Sequence, residues 1–186
     1  MRNRIISRAV AVTVVALVCV ALGVHARPST PTGFEGVIND YTTISTVPTS
    51  NGAPVGAGWE MRGPWKLRIG EDGLADFSAA ITMEMSDPPD LKTPAARMQH
   101  THHLTMKDGT VSFLATGGIE ITGPVTITKD GGPAPAALQG STLVIDITGG
   151  ALVPYSNLAI TFQGGGTAHF GSQAIHGVVR HTESED

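Results

Sequence analysis

The sequence predicts an all-β domain: an antiparallel meander barrel of about 9–10 short strands, with a β-sandwich as the alternative. From Trp59 onward, apolar and polar residues alternate along most segments, as they do in half-buried strands. Glycine-containing turn sequences separate these segments, and none of them has ten residues of helical periodicity. Short strands with Gly-rich turns are typical of sandwiches and barrels. We expect the barrel, because closure removes exposed strand edges.

Residues 1–26 have the composition of a secretory signal peptide. Three arginines and no acid precede an uncharged run over 9–24, and a small residue, Ala26, follows that run. A basic start, an apolar middle and a small residue at the end form the pattern of a cleavable export signal. The apolar run is shorter than the roughly 20 residues that cross a bilayer as a helix. We therefore expect cleavage near Ala26 and a periplasmic or secreted protein with no membrane attachment afterwards.

Cleavage would leave an acidic domain without cysteine. Cys19, the one cysteine of the chain, lies in the leader, whereas nine of the 12 basic residues and all 16 acidic residues follow it. Such a domain has no disulfide, no thiolate metal site and no cysteine nucleophile. Its negative, scattered charge gives no electrostatic footprint for nucleic acid. The remaining length of about 160 residues suffices for one hydrophobic core.

The composition divides the mature chain into three parts. Residues 27–58 are rich in Pro, Thr and Gly and predict an extended lead-in, with a candidate first strand over 34–44. Residues 59–182 carry the alternating segments and predict a single β domain. Residues 183–186 form an acidic tail.

The alternation and the turn residues order the strands of the β domain. Asp108-Gly109 is a strong hairpin-turn sequence between two of them, and Gly164-Gly165-Gly166 predicts a flexible hairpin loop near the end. The segments expected to form strands are 65–69, 75–85, 98–107, 111–115, 119–127, 143–147, 158–162, 167–170 and 173–180. Because consecutive strands are joined by short turns, a meander is the expected topology.

The most informative motif is His100-Thr101-His102-His103. The two residues numbered 100 and 102 share a strand face with Met98, Leu104 and Met106, so the apolar neighbours predict that both imidazoles point inward and that His103 points outward. Inward side chains two residues apart on a strand stand about 7 Å apart, and both can reach one metal ion between them.

This histidine pair needs a third ligand, and His169 and His176 are the candidates. The alternation of inward and outward residues does not decide whether either side chain points into the barrel. If Phe170 points inward, His169 points outward; if Ile175 points inward, His176 points outward, unless a bulge at Gly171 resets the register. The hypothesis is a divalent ion such as zinc, bound by the pair and one or both of these residues. The competing interpretation is a core pair satisfied by backbone carbonyls or threonine hydroxyls.

Two short stretches resemble known families. The His100-x-His102 spacing resembles the strand ligands of cupins and of α-type carbonic anhydrases, although Lys107 and Asp108 stand where the cupin pattern has a glutamate. Thr148-Gly149-Gly150 resembles a stretch of the allene oxide cyclase and dirigent barrels. Each resemblance covers three residues and names no family for the chain.

Other residues are candidates for ligand binding. Trp59 and Tyr155 offer aromatic rings, and Arg97 offers a cation for an anionic ligand at a barrel mouth. No two carboxylates fall on one predicted inner face, so no catalytic acid–base pair is predicted.

Four functions remain open on the sequence alone. The first is an exported binding module for a small molecule or a metal ion, because small barrels hold one small ligand. The second is an enzyme whose histidine-bound metal activates water. The third is a cofactor-free isomerase or cyclase, and the fourth is a structural domain of the cell envelope.

Overall fold

The computed structural model describes residues 31–42, 58–85, 99–134, 136–148 and 157–184. The predicted signal peptide, most of the lead-in after residue 42, Arg97 and Tyr155 lie outside these residues. The strands are β1 (Pro31–Thr42), β2 (Trp59–Ile69), β3 (Leu74–Met85), β4 (His100–Phe113), β5 (Ile119–Lys129), β6 (Gly132–Pro133), β7 (Thr142–Thr148), β8 (Asn157–Gln163) and β9 (Ile175–Ser184). A one-turn helix, α1 (Thr167–Phe170), and two 3-10 turns (Ala136–Leu138 and Gly164–Gly166) complete the described elements.

Eight of the strands close into an antiparallel barrel. Each pairs with its neighbours in chain order, β5 pairs directly with β7, and β9 pairs back onto β1. The short β6 pairs only with β5. The seam runs from Ile38, opposite Gly177, to Pro31, opposite Ser184. The predicted meander barrel is confirmed, and no second sheet packs against it among the described strands.

The interior is apolar because the inward positions of the strands carry apolar side chains. In β3 the residues from Ala75 to Met85 alternate between buried and partly exposed. Trp65 of β2 and Phe77 of β3 are both buried and stack with ring centroids 6.3 Å apart. This filled core supplies the hydrophobic stabilisation that a disulfide-free domain requires.

The two ends of the barrel differ in the length of their connections. β4 begins at His100 at one end, which we call the histidine end. The connections at the histidine end span 43–58, 86–99, 130–141 and 164–174, whereas those at the opposite end span only 70–73, 114–118 and 149–156. Functional residues concentrate on connecting segments held by a rigid scaffold, which directs attention to the histidine end.

Several expected elements differ from the structure. Asp108-Gly109 does not end a strand: it lies within β4 as an irregularity between Met106 and Thr110, and the hairpin turn follows at 114–118. Residues 167–170 form α1 instead of a strand, and the three glycines before them form a 3-10 turn instead of a flexible loop. At the chain ends, β1 belongs to the barrel and Glu183 still pairs with Gly33.

The helical segments of the described residues are short. None of them is both long enough and apolar enough to cross a membrane.

Candidate metal centre

β4 directs His100 and His102 into the barrel, as its alternation predicts. The exposed fractions of the two residues are 8% and 0%, whereas His103 is exposed. Their partners on β3 are Met83 and Ile81, both buried on the same inner face. The strand therefore presents two imidazoles side by side just inside the histidine end.

Asp130 fixes the start of β4 against the end of β5. The backbone N–H of Thr101, which lies between the two inward histidines, donates to Asp130 Oδ1 at 2.8 Å. The N–H of Asp130 donates to the carbonyl of Thr101, also at 2.8 Å. Asp130 has a φ of 49°, in the left-handed region that aspartate tolerates better than most residues. These two hydrogen bonds hold the backbone from which both imidazoles project.

His102 is oriented by a backbone carbonyl. Its Nδ1 lies 3.2 Å from the carbonyl oxygen of Thr128 on β5. A carbonyl can only accept, so this hydrogen bond requires the proton on Nδ1 and leaves the Nε2 lone pair free. Metal-binding histidines commonly have such a partner, which fixes the tautomer and the ring plane.

His169 reaches the interior because Gly165 and Gly166, just before α1, pack closely against neighbouring segments at the histidine end. A Cβ on Gly165 would lie 2.2 Å from the carbonyl oxygen of Ala137, and one on Gly166 would lie 2.5 Å from the Phe162 ring. The hydroxyl of Thr167 donates to the carbonyl of Gly164 at 2.8 Å. Only glycine permits this approach of two backbones.

Phe170 anchors α1 next to the histidines. Its ring stacks on Phe162 of β8 with centroids 4.0 Å apart and planes inclined by 7°. It also meets the rings of His102 and His169 edge-on at 5.1 and 5.0 Å. Because Phe170 is buried, this stacking fixes the neighbouring His169 in place.

The three imidazoles converge on one point. His169 Nε2 lies 2.8 Å from His102 Nε2 and 3.4 Å from His100 Nε2, and one nitrogen of each ring falls within a set no wider than 4.8 Å. Nitrogen ligands on a tetrahedral zinc ion stand about 3.3 Å apart, given bonds of about 2.0–2.1 Å. The 3.4 Å pair has this spacing already, and the 2.8 Å pair would open by about 0.5 Å to reach it. The third pair, His100 with His102, lies within 4.8 Å and would close by up to about 1.5 Å, so the three rings suit a metal ion once they draw together around it.

Burial keeps His102 and His169 neutral. Desolvation, reinforced by the neighbouring imidazoles, lowers the pKa of His102 from 6.5 to about 3, although the Thr128 carbonyl opposes the shift. Desolvation, with smaller contributions from His100 and Lys129, lowers the pKa of His169 to about 4. Protons therefore do not compete with a metal ion for these nitrogens at neutral pH.

The three histidines are the only ligand set of this kind among the described residues. No Asp, Glu or Cys in this part of the chain joins them. Trp59, a predicted ligand-binding residue, is only 5% exposed and lies edge-on to His100 at 5.8 Å, so it forms a wall of the cluster. Three protein ligands leave one position of a tetrahedral ion open.

His176 does not join the cluster, contrary to one of the sequence-based expectations. Ile175 and Val179 point inward, so His176 points outward, and its side chain is 62% exposed. Its Nδ1 and backbone N–H lie 3.2 and 2.8 Å from Asp40 Oδ2. The register of β9 is not reset at Gly171, because α1 ends before that residue and β9 begins after it.

Sequence reasoning missed the roles of Asp130, Phe170 and Phe162. Asp130 was interpretable only as a turn residue, because its partner Thr101 lies on a strand 29 residues away. The sequence predicts the two phenylalanines only as core residues, because nothing local indicates that their rings stack on each other. The inward direction of Lys129, in contrast, could have been predicted from the sequence, because Lys129 continues the alternation of the inward residues Val125 and Ile127.

Comparison with known proteins returns no relative. No family model, no curated protein and no solved structure matches this chain. The site must therefore be interpreted from its own geometry.

Proposed function

We propose that this protein is an exported metal-binding barrel in which His100, His102 and His169 hold one divalent transition-metal ion, with zinc as the first candidate. The observation that carries the proposal is the convergence of three imidazole nitrogens within 4.8 Å. Imidazole is a good ligand for zinc, copper, iron and nickel, whereas magnesium and calcium prefer oxygen. Among the described residues no carboxylate joins the cluster, which argues against those two ions.

The facing imidazole nitrogens support a shared cation. His169 Nε2 faces the Nε2 atoms of both other rings. The lone pair of His102 Nε2 also points into this space, since its proton is on Nδ1. A cation at the common point would satisfy all three nitrogens together.

The open fourth position favours a second candidate function. Metal sites with three protein ligands and one open position are typical of catalytic zinc, where bound water becomes a nucleophile near neutral pH. Here three neutral imidazole nitrogens would bind the metal, and the Thr128 carbonyl would orient His102. Apolar side chains would surround the site. These features support a hydrolase or hydratase activity, in which a metal-bound water attacks the substrate.

The test of metal binding is direct. Purified protein, stripped with a chelator, is titrated with zinc while metal content and melting temperature are followed. We expect one ion per chain and a rise in melting temperature, both lost in His102→Gln. His103→Gln is the matched control, because His103 lies next to it on the outer face. A folded protein that takes up no zinc, cobalt or copper would refute the proposal.

Export is a separate part of the proposal and rests on residues 1–26. The mature protein is expected to begin near residue 27 and to be found outside the cytoplasm. N-terminal sequencing of the native protein after cell fractionation tests this. An intact leader on cytoplasmic protein would contradict it.

A further inference from the structure

Lys129 lies on the inner face of the barrel beside the histidines. It is the partner of His102 in the pairing of β4 with β5 and continues the buried positions Val125 and Ile127. Its side chain is partly buried, as expected for a lysine whose stem follows apolar surface while its ammonium group reaches toward water. Because directly paired residues of neighbouring strands project from the same face, the Lys129 side chain leaves the sheet beside that of His102.

Among the described residues, no carboxylate joins the three histidines to neutralise the charge of the proposed metal ion. A divalent ion on three neutral imidazoles keeps its full charge, and Lys129 adds another positive charge. Asp130 and Asp40 at this end accept hydrogen bonds from Thr101 and His176 instead. Because uncompensated charge in a buried site is costly, an anion in the open position would stabilise the loaded centre.

The walls around the cluster are apolar and aromatic. Trp59 meets His100 edge-on, Phe170 meets His102 edge-on, and Met83 is the buried partner of His100 on β3. A bound phosphate usually requires several N–H donors; these three wall residues offer only the indole of Trp59, to which Lys129 adds one ammonium group. The hydrocarbon part of an organic acid fits such a wall, since its burial is favourable.

We infer that the open position of the metal centre binds the carboxylate of a small organic acid, with the ammonium group of Lys129 as its second contact. This inference rests on the proposed metal site. It assigns Lys129 as a binding residue that sets the preference for anionic ligands. One carboxylate oxygen would coordinate the metal, and the other would accept a hydrogen bond from the lysine.

Cobalt-loaded protein provides the test, because the visible absorption of cobalt(II) changes when a ligand enters its coordination sphere. The loaded protein is titrated with acetate, propionate, benzoate and inorganic phosphate at constant ionic strength. We expect propionate and benzoate to change the spectrum saturably and to bind more tightly than phosphate. In Lys129→Gln the carboxylate affinity should fall about tenfold, while cobalt affinity stays equal or rises because a positive charge is removed.

Lys107→Gln is the matched control for charge. Lys107 lies on β4, is mostly exposed and pairs with Asp76 on the outer face, so its loss should leave carboxylate affinity within about twofold. A spectrum unmoved by any carboxylate, tighter binding of phosphate, or unchanged carboxylate affinity in Lys129→Gln would overturn the inference while leaving the metal site standing. Failure of the wild-type protein to bind cobalt, zinc or copper would overturn both. Loss of cobalt affinity in Lys129→Gln would assign Lys129 a structural role instead.

Discussion

Replacing Gly165 by alanine tests how the third ligand is positioned. The new Cβ would lie 2.2 Å from the carbonyl oxygen of Ala137 and 3.1 Å from that of Gln139. Relief of the first contact requires a retreat of about 1 Å, since nonbonded carbon and oxygen rarely approach closer than about 3.2 Å. Both obstacles are backbone atoms, so the glycine turn must move, and α1 follows it directly in the chain.

A displacement of this size matters for metal binding because it would shift His169 relative to the other two ligands, whereas metal–nitrogen bond lengths vary by only about 0.2 Å in a formed site. Overpacking of this kind costs about 1–3 kcal/mol of folding free energy. We therefore expect Gly165→Ala to fold with a lower melting temperature and to bind zinc at least about tenfold more weakly, measured by competition with a chromophoric chelator. Gly132→Ala is the control, because its Cβ would meet only the Lys129 carbonyl at an ordinary 3.6 Å. Undiminished zinc affinity in Gly165→Ala would refute the argument that this contact positions His169.

Three further predictions concern the same cluster. Asp130→Ala should weaken zinc binding by removing the acceptor of the Thr101 N–H, and Asp130→Asn should recover much of it; equal affinities in all three proteins would exclude a positioning role for Asp130. The folded-state pKa values of His102 and His169 lie below 6.5, so the unfolded chain takes up protons first as the pH falls. The metal-free protein should lose about 1–2 kcal/mol of stability per histidine between pH 7 and pH 5, an effect reduced in His102→Gln; matching urea-unfolding profiles for the two proteins would contradict this. His102→Ala should destabilise the metal-free protein by about 1–3 kcal/mol by leaving the Thr128 carbonyl without its partner, whereas His103→Ala should lie within about 0.5 kcal/mol of wild type; equal unfolding midpoints would refute the assigned strand faces.

The barrel and the first half of the site could be predicted from the sequence because strand parity is a local rule. Apolar residues on either side of His100 and His102 define the inner face of β4 without any knowledge of its neighbours. The same rule indicated that His176 would point outward once Ile175 pointed inward.

The position of His169 could not be predicted, because tertiary contacts determine it. Four residues are too few for helical periodicity, and the three preceding glycines favour no single conformation. The approach of Gly165 to Ala137 and the stacking of Phe170 on Phe162 select the helical turn. Asp108-Gly109 likewise resembles a hairpin turn locally, yet β4 continues past it because Val111 and Phe113 pair with β5.

The seam between β1 and β9 has a consequence for how the molecule can be handled. Pro31 and Ser184, opposite each other in the seam, lie at the end of the barrel away from His100. A tether attached through either strand would therefore hold the barrel by the end opposite the histidines and leave the histidine end facing the solution. Protein immobilised through its carboxyl terminus should bind metal as freely as it does in solution, which makes surface-based measurement of weak carboxylate ligands practical.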